Sequence, residues 1–275
     1  MKHWLWASLT LVAANLLLYE FYGELLGEGK IWINRFSGLS ANPNQLALYV
    51  CSMPFWLLAR PHLLPRWVTV LGVIGSLYLG WLTGSDALML GWFAGFGWLA
   101  AHEIMNRQWR TNPTQNTYAK TLLMSLYSLL LVSGLVLFWA SATDIYAIGG
   151  QGDLRVLRWQ NGLQILTHSP LFGLGPGAFS GDRGPFEGQE AHNLYIDWMA
   201  SGGILAGLAL IWFQRRVWFS LRNRHAPALT AGFLCLLVFG LFHYMARHPV
   251  FWLVHLLCLT HTVQSAPQAI GNFPK

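Results

Sequence analysis

The stretch RWVTVLGVIGSLYLGWLTGSDALMLGWFAGFGWLAAHEI (residues 66–104) holds two long apolar runs separated by the turn LTGSDA, and Asp86 is the only charged residue between Arg66 and Glu103. A membrane helix needs about 20 mostly apolar residues to cross about 30 Å of hydrocarbon. Each run approaches that length. Stretches of the same kind lie near residues 4–19, 45–60, 121–143, 194–213, 226–245 and 249–264. With 66–84 and 86–104 they predict an all-α polytopic membrane protein of about eight transmembrane helices.

Composition points the same way. Of 275 residues, 54% are hydrophobic and 10% charged, against about 25% charged in soluble domains. The 15 Trp suit an interface between hydrocarbon and headgroups. Lys2 and His3 precede the first apolar run, but it continues to Tyr19 and Glu20 without a small-residue cleavage site, so it reads as a retained anchor.

Lys and Arg resist translocation, so their placement sets the orientation. Arg60 and Arg66, then Arg107, Arg110 and Lys120, then Arg215, Arg216, Arg222 and Arg224 mark three cytoplasmic turns. The intervening loops lean acidic: 20–44 carries Glu20, Glu24 and Glu28 against Lys30 and Arg35, and 144–193 carries five acids against three arginines. Both termini are then cytoplasmic and both long loops outside, with Arg247 the exception in a short outer turn. The net charge of +6 follows from this bias and calls for no nucleic-acid partner. Cys51, Cys235 and Cys258 fall inside apolar spans and imply no disulfide framework. With no repeat, low-complexity tract or linker, residues 1–275 read as one membrane domain, with 144–193 as an active-site loop within it.

That loop is too long for a mere connection. Residues 155–170 (RVLRWQNGLQILTHSP) suit a short amphipathic helix stopped by Pro170. Gly173, Gly175 and Gly177 follow, but a dinucleotide fingerprint needs a preceding strand and a following helix. A tight turn with close backbone approach is the plainer reading.

Arg155, Trp159, Pro170, Gly173, Gly175 and Gly177, then His192 and Asn193 before a helix, resemble the C-terminal motif region of the O-antigen ligase and polymerase family. So do RFSGLSANPNQLA, with Arg35, Gly38, Asn42, Pro43 and Asn44, and the LTGSDA turn. The three matches spread over residues 35–205. The resemblance implies a fold of the glycosyltransferase-C type with short helices in a periplasmic loop, in the bacterial inner membrane. It implies an inverting, metal-independent transferase without cofactor. The donor would be a polyprenyl diphosphate-linked glycan, and the acceptor a glycan, lipid A core or protein. It assigns catalysis to His192 and substrate binding to Arg155, Arg35, Asn193, Gly175 and Gly177. The chain departs from the family in having Asp86 where an Arg usually follows the Ser, and in being shorter than fuller members.

Chemistry supports the Arg and His assignments independently. A departing diphosphate needs cationic stabilisation, which the planar arginine fork supplies. The acceptor hydroxyl needs a base, and imidazole titrates near 6.5. Glu190 and Asp197 are rival bases, Arg158 reads as structural or surface, and Arg35 could instead anchor lipid headgroups. His102, His243, His248, His255 and His261 show no metal-ligand spacing. A non-catalytic subunit that binds or assembles lipid-linked glycan is the alternative, favoured by Asp86 and the short length.

Overall fold

The computed structural model describes residues 2–22, 31–32, 35–60, 62–111, 127, 151–176 and 190–260. Among them the protein is all-α apart from one small ribbon. In order come α1 Lys2–Tyr22, β1 Ile31–Trp32, β2 Arg35–Phe36, α2 Pro43–Cys51, α3 Met53–Ala59, α4 Arg66–Leu82, α5 Asp86–Thr111, α6 Gln151–His168, α7 Leu194–Asn223, α8 Pro227–Gly240 and α9 Pro249–Thr260. The strands pair antiparallel, Ile31 with Phe36 and Trp32 with Arg35. The crossing expected at 121–143 lies outside the described residues except for Tyr127. So do 177–189 and 261–275.

The segment 45–60, expected as one crossing, forms two short helices instead. Asn42 caps the first: its Oδ1 accepts from Gln45 N at 3.0 Å while Gln45 Oε1 accepts from Ala41 N at 3.2 Å, and Pro43 occupies the first turn. Pro54 has no N–H for the next helical bond, so the chain restarts at Ser52 as α3. Both helices are central: Leu46, Val50, Cys51, Phe55, Trp56 and Leu57 are buried.

α5 and α8 make the most extensive contact in the bundle. Gly91 and Gly95, one turn apart on α5, allow it, because a Cβ on Gly95 would lie 2.8 Å from Ala231 O and one on Gly91 2.9 Å from Cys235 O. Small residues at this spacing let helix backbones approach where lipid offers no hydrophobic drive between them. The same crossing brings Cys235 Sγ within 3.2 Å of Cys51 Sγ, both buried free thiols.

α7 is a hairpin rather than a rod. Gly203, at φ 73° and ψ −176°, interrupts it. In a straight helix Tyr195 and Gln214 would stand about 28 Å apart, yet the Tyr195 hydroxyl donates to Gln214 Oε1 at 2.9 Å and Trp198 Nε1 donates to Ala206 O at 3.0 Å. The chain runs through 194–202, reverses at Gly203 and returns alongside through 204–223. This corrects the single crossing expected at 194–213. α8 stops at Gly240 rather than near 245, and 241–248 becomes a turn carrying Tyr244, Arg247 and His248.

Among the described residues two segments, Lys2–Phe21 and Leu194–Asn223, are long and apolar enough by length and composition to cross a membrane, but the second folds back at Gly203, so that only its returning arm, 204–223, keeps the length of a crossing. The apolar helices α4, α8 and α9 have 17, 14 and 12 residues, which rise about 26, 21 and 18 Å, short of about 30 Å of hydrocarbon. The expected count of eight crossings therefore does not follow from these helices. Where they face outward they are apolar: Trp67, Val70, Leu71, Ile74, Tyr78 and Trp81 make one exposed stripe along α4, and Ile204, Leu205, Leu208, Ile211, Trp212 and Phe219 another along α7.

Candidate functional site

Two polar clusters gather the residues singled out in the sequence. The first forms around the ribbon. Arg35 Nε donates to Thr83 O and Nη2 to Asn44 Oδ1, both at 2.8 Å, so the guanidinium braces the ribbon against the α4–α5 turn and the start of α2. Gly84 lets it lie flat on that turn, since a Cβ there would come within 3.2 Å of Arg35 Cγ. Behind it, Asn15 of α1 accepts from Leu39 N at 2.9 Å. RFSGLSANPNQLA and LTGSDA, separate in sequence, are thus one structural unit. Asp86 is exposed in the first turn of α5, where a carboxylate complements the helix dipole.

The second cluster is at the start of α7. His192 is half-buried and adopts φ 57°, a left-handed conformation that non-glycine residues seldom take. Asp197, fully buried, enforces it: Oδ1 accepts from Ala191 N at 2.7 Å and Oδ2 from Asn193 N at 2.9 Å, so one carboxylate grips the backbone on both sides of the histidine. Asn193 caps α7, its Oδ1 accepting from Tyr195 N at 3.0 Å and Ile196 N at 3.2 Å, while Nδ2 donates to Leu241 O at 2.9 Å. Both ends of its amide are engaged inside the protein, which makes it a cap and a tie to α8.

Charged groups surround this elbow. Glu190 pairs with Arg247, whose guanidinium carbon stands 5.8 Å from the centre of the Tyr244 ring, and Tyr244 bonds Ser201. Burial raises the Glu190 carboxyl above its ordinary range, with Arg247 opposing. Burial lowers the imidazole of His248, and the neighbouring Arg247 cation lowers it further.

The glycine-rich segment fastens the cluster from outside. Leu174 N donates to Ala200 O at 3.0 Å, Gly175 N to Ser201 O at 2.9 Å and Ile204 N to Pro170 O at 2.8 Å. The Gly203 break exposes helical carbonyls and an N–H that this strap satisfies. A Cβ on Gly203 would fall 2.1 Å from Leu171 C, and one on Gly173, at φ 68°, 2.4 Å from Ser201 C. Gly175, also at positive φ, faces open space, but its N–H belongs to the strap. The tight-turn reading of these glycines holds; Gly177 lies outside the described residues.

The amphipathic segment is α6, which ends at His168 just before Pro170. Trp159 and Ile165 pack on Ala191, Ile196 and Ala200. Arg155 rides on α6 one turn before Trp159. Its side chain is outside the described residues. Arg158 is half-buried, and burial lowers its guanidinium.

The structure therefore joins His192, Asn193 and Gly175 through α7 and its strap, and holds Arg35 in the ribbon cluster. Sequence reasoning weighed Glu190 and Asp197 only as rival bases and missed Tyr244 and Ser201. Arg247 carried a signal, since it alone broke the alternation of charged loops. A histidine displayed on a constrained backbone can accept a proton from a hydroxyl brought beside it. Among the described residues no group of three or more His, Cys, Asp or Glu could hold a metal ion. No known protein family matches the chain, and no curated protein matches it significantly.

Proposed function

We propose that the chain is a membrane glycosyltransferase of the O-antigen ligase or polymerase kind, transferring a glycan from a polyprenyl diphosphate donor with inversion at the outer face of a bacterial inner membrane. The observation that carries this reading is the His192 elbow, because a histidine held at positive φ by a buried carboxylate is a strained arrangement of the sort that gathers at functional sites. Membrane residence is supported by the apolar segments Lys2–Phe21 and Leu194–Asn223 and by the outward apolar stripes of α4 and α7; the assignment of both ends to the cytoplasm rests on the placement of Lys and Arg in the sequence alone. In this reading His192 accepts the proton of the acceptor hydroxyl, and Arg155 binds the donor diphosphate. Arg247, paired with Glu190, ties the 241–248 turn to the chain just before the elbow. Asp197 and Asn193 position the elbow without touching substrate. Arg35 acts mainly as the brace of the ribbon.

Wild-type protein in lipid nanodiscs, given a synthetic polyprenyl diphosphate-linked oligosaccharide and a lipid A core, glycan or peptide acceptor, should form the glycosylated acceptor and release polyprenyl diphosphate. Binding of the donor without transfer to any of these acceptors would overturn the enzyme reading. The non-catalytic lipid-linked-glycan subunit would replace it, a role that the exposed carboxylate of Asp86 favours.

A further inference from the structure

The strap and the returning arm of α7 share an apolar tip. Leu171, Phe172 and Leu174 are 56%, 72% and 45% exposed, and Ile204, Leu205 and Leu208 continue the same surface on α7. The two sets adjoin, because Ile204 N donates to Pro170 O at 2.8 Å and a Cβ on Gly203 would meet the backbone of Leu171 and Phe172. Large apolar side chains turned outward together mark a surface that something covers.

The chemistry of the tip narrows what covers it. Residues 169–176 and 198–214 contain no Asp, Glu, Lys or Arg, whereas a patch built to bind another protein has a polar rim. The backbone gives a second indication. Irregular chain beside hydrocarbon must turn its polar groups into the protein. Here Pro170 has no N–H, while Gly173 N donates to Ser169 O, Leu174 N to Ala200 O and Gly175 N to Ser201 O, and Pro170 O accepts from Ile204 N. The side chains of Leu171, Phe172 and Leu174 are left outermost. Ile204 also opens the arm that keeps the length of a crossing, so the strap stands at the end of that arm, where hydrocarbon begins.

We infer that the strap is a membrane anchor: Leu171, Phe172 and Leu174 insert among the acyl chains of the leaflet that borders the Gly203 turn, extending the lipid contact of α7. Part of the 144–193 loop then lies in the edge of the bilayer and not in water. The acyl chains press the strap onto the helix break whose backbone groups it satisfies. The inference rests on the membrane reading but not on transferase activity.

The test is fluorescence of a nitrobenzoxadiazole label on Phe172→Cys or Leu174→Cys, in the full chain reconstituted into phosphatidylcholine vesicles. Cys51, Cys235 and Cys258 are buried, so the dye goes to the introduced thiol. Asp86→Cys, at an exposed polar turn, and Leu71→Cys, on the exposed stripe of α4, provide the water and lipid references. At 172 and 174 the emission should lie to the blue of that at 86. Lipids carrying a nitroxide on the acyl chain should remove most of it, and iodide on both sides of the membrane should remove little. Quenching by iodide instead would place the strap in water and overturn the anchor. Shielding from both quenchers would place protein on it and overturn the anchor too. If the label at 71 also escapes the nitroxide lipids, the membrane reading itself fails; if 71 is quenched while 172 and 174 are not, the anchor alone fails.

Discussion

The ribbon cluster around Arg35 and the elbow around His192 contain similar polar residues, yet they use them differently. Around Arg35 the polar groups face one another: the guanidinium bonds Thr83 O and Asn44, and Asn15 bonds Leu39 N. Around His192 the polar groups hold backbone in an unfavourable shape. Asp197 grips two N–H groups, Asn193 caps a helix, and a strap is stitched to a helix break. The bonds of Arg35 to Thr83 O and Asn44 Oδ1 join the ribbon to the α4–α5 turn and to the start of α2, which is the work of a brace. A histidine displayed on constrained backbone, two residues from the Glu190–Arg247 pair, is arranged for chemistry.

The largest expected difference between the two regions is in turnover. His192→Gln should lower transfer by about 10²- to 10⁴-fold, the usual contribution of a general base, with the melting temperature in detergent unchanged. Arg35→Ala should do the reverse, lowering stability by about 1–3 kcal/mol through the unpaired Thr83 carbonyl and Asn44 while leaving most of the rate per folded molecule. A thermal melt and a rate measurement on each variant would separate them, and matching profiles would dissolve the distinction.

Next come the supports of the elbow. Gly203→Ala places a Cβ against Leu171 at a left-handed φ, and such strain and overpacking cost about 1–3 kcal/mol each. Asp197→Asn turns one acceptor into a donor facing an N–H. It should destabilise by about 1–3 kcal/mol and reduce transfer as well, since His192 loses its clamp. Calorimetry with a parallel assay would show whether stability and rate fall together, as a positioning role requires.

The smallest effect concerns His248. Its folded-state imidazole is depressed by burial and by Arg247, so its contribution to stability is present above the unfolded value near 6.5 and is lost as pH falls through the lower folded value. His248→Gln should therefore flatten the acid side of the stability curve. An unchanged slope below about pH 6.5 would mean that another group controls it.

Much of this was legible in the sequence. Apolar runs located most helices, and Pro170 marked the end of α6. What was not legible was tertiary. Pro54 split one run because a missing N–H matters only when the helix is otherwise continuous. Gly203 looked like any glycine in an apolar stretch, and only the strap from Pro170 to Gly175 makes its break favourable. Asp197 was weighed only as a rival base, although its position four residues after Asn193 lets it reach back to the first N–H groups. The closeness of Cys51 and Cys235 depends on Gly91 and Gly95, and hydropathy is silent about that spacing.

The central claim is that chemistry belongs to the His192 elbow, and the most direct test is the pH dependence of single-turnover glycan transfer by wild type and His192→Gln in the same nanodiscs. The base must be neutral to act, so the wild-type rate should rise with pH through the imidazole range around 6.5 and then level off. His192→Gln should show a rate lower by about 10²- to 10⁴-fold with that rise gone. A His192→Gln enzyme that transfers at the wild-type rate, with the same rise, would contradict the account.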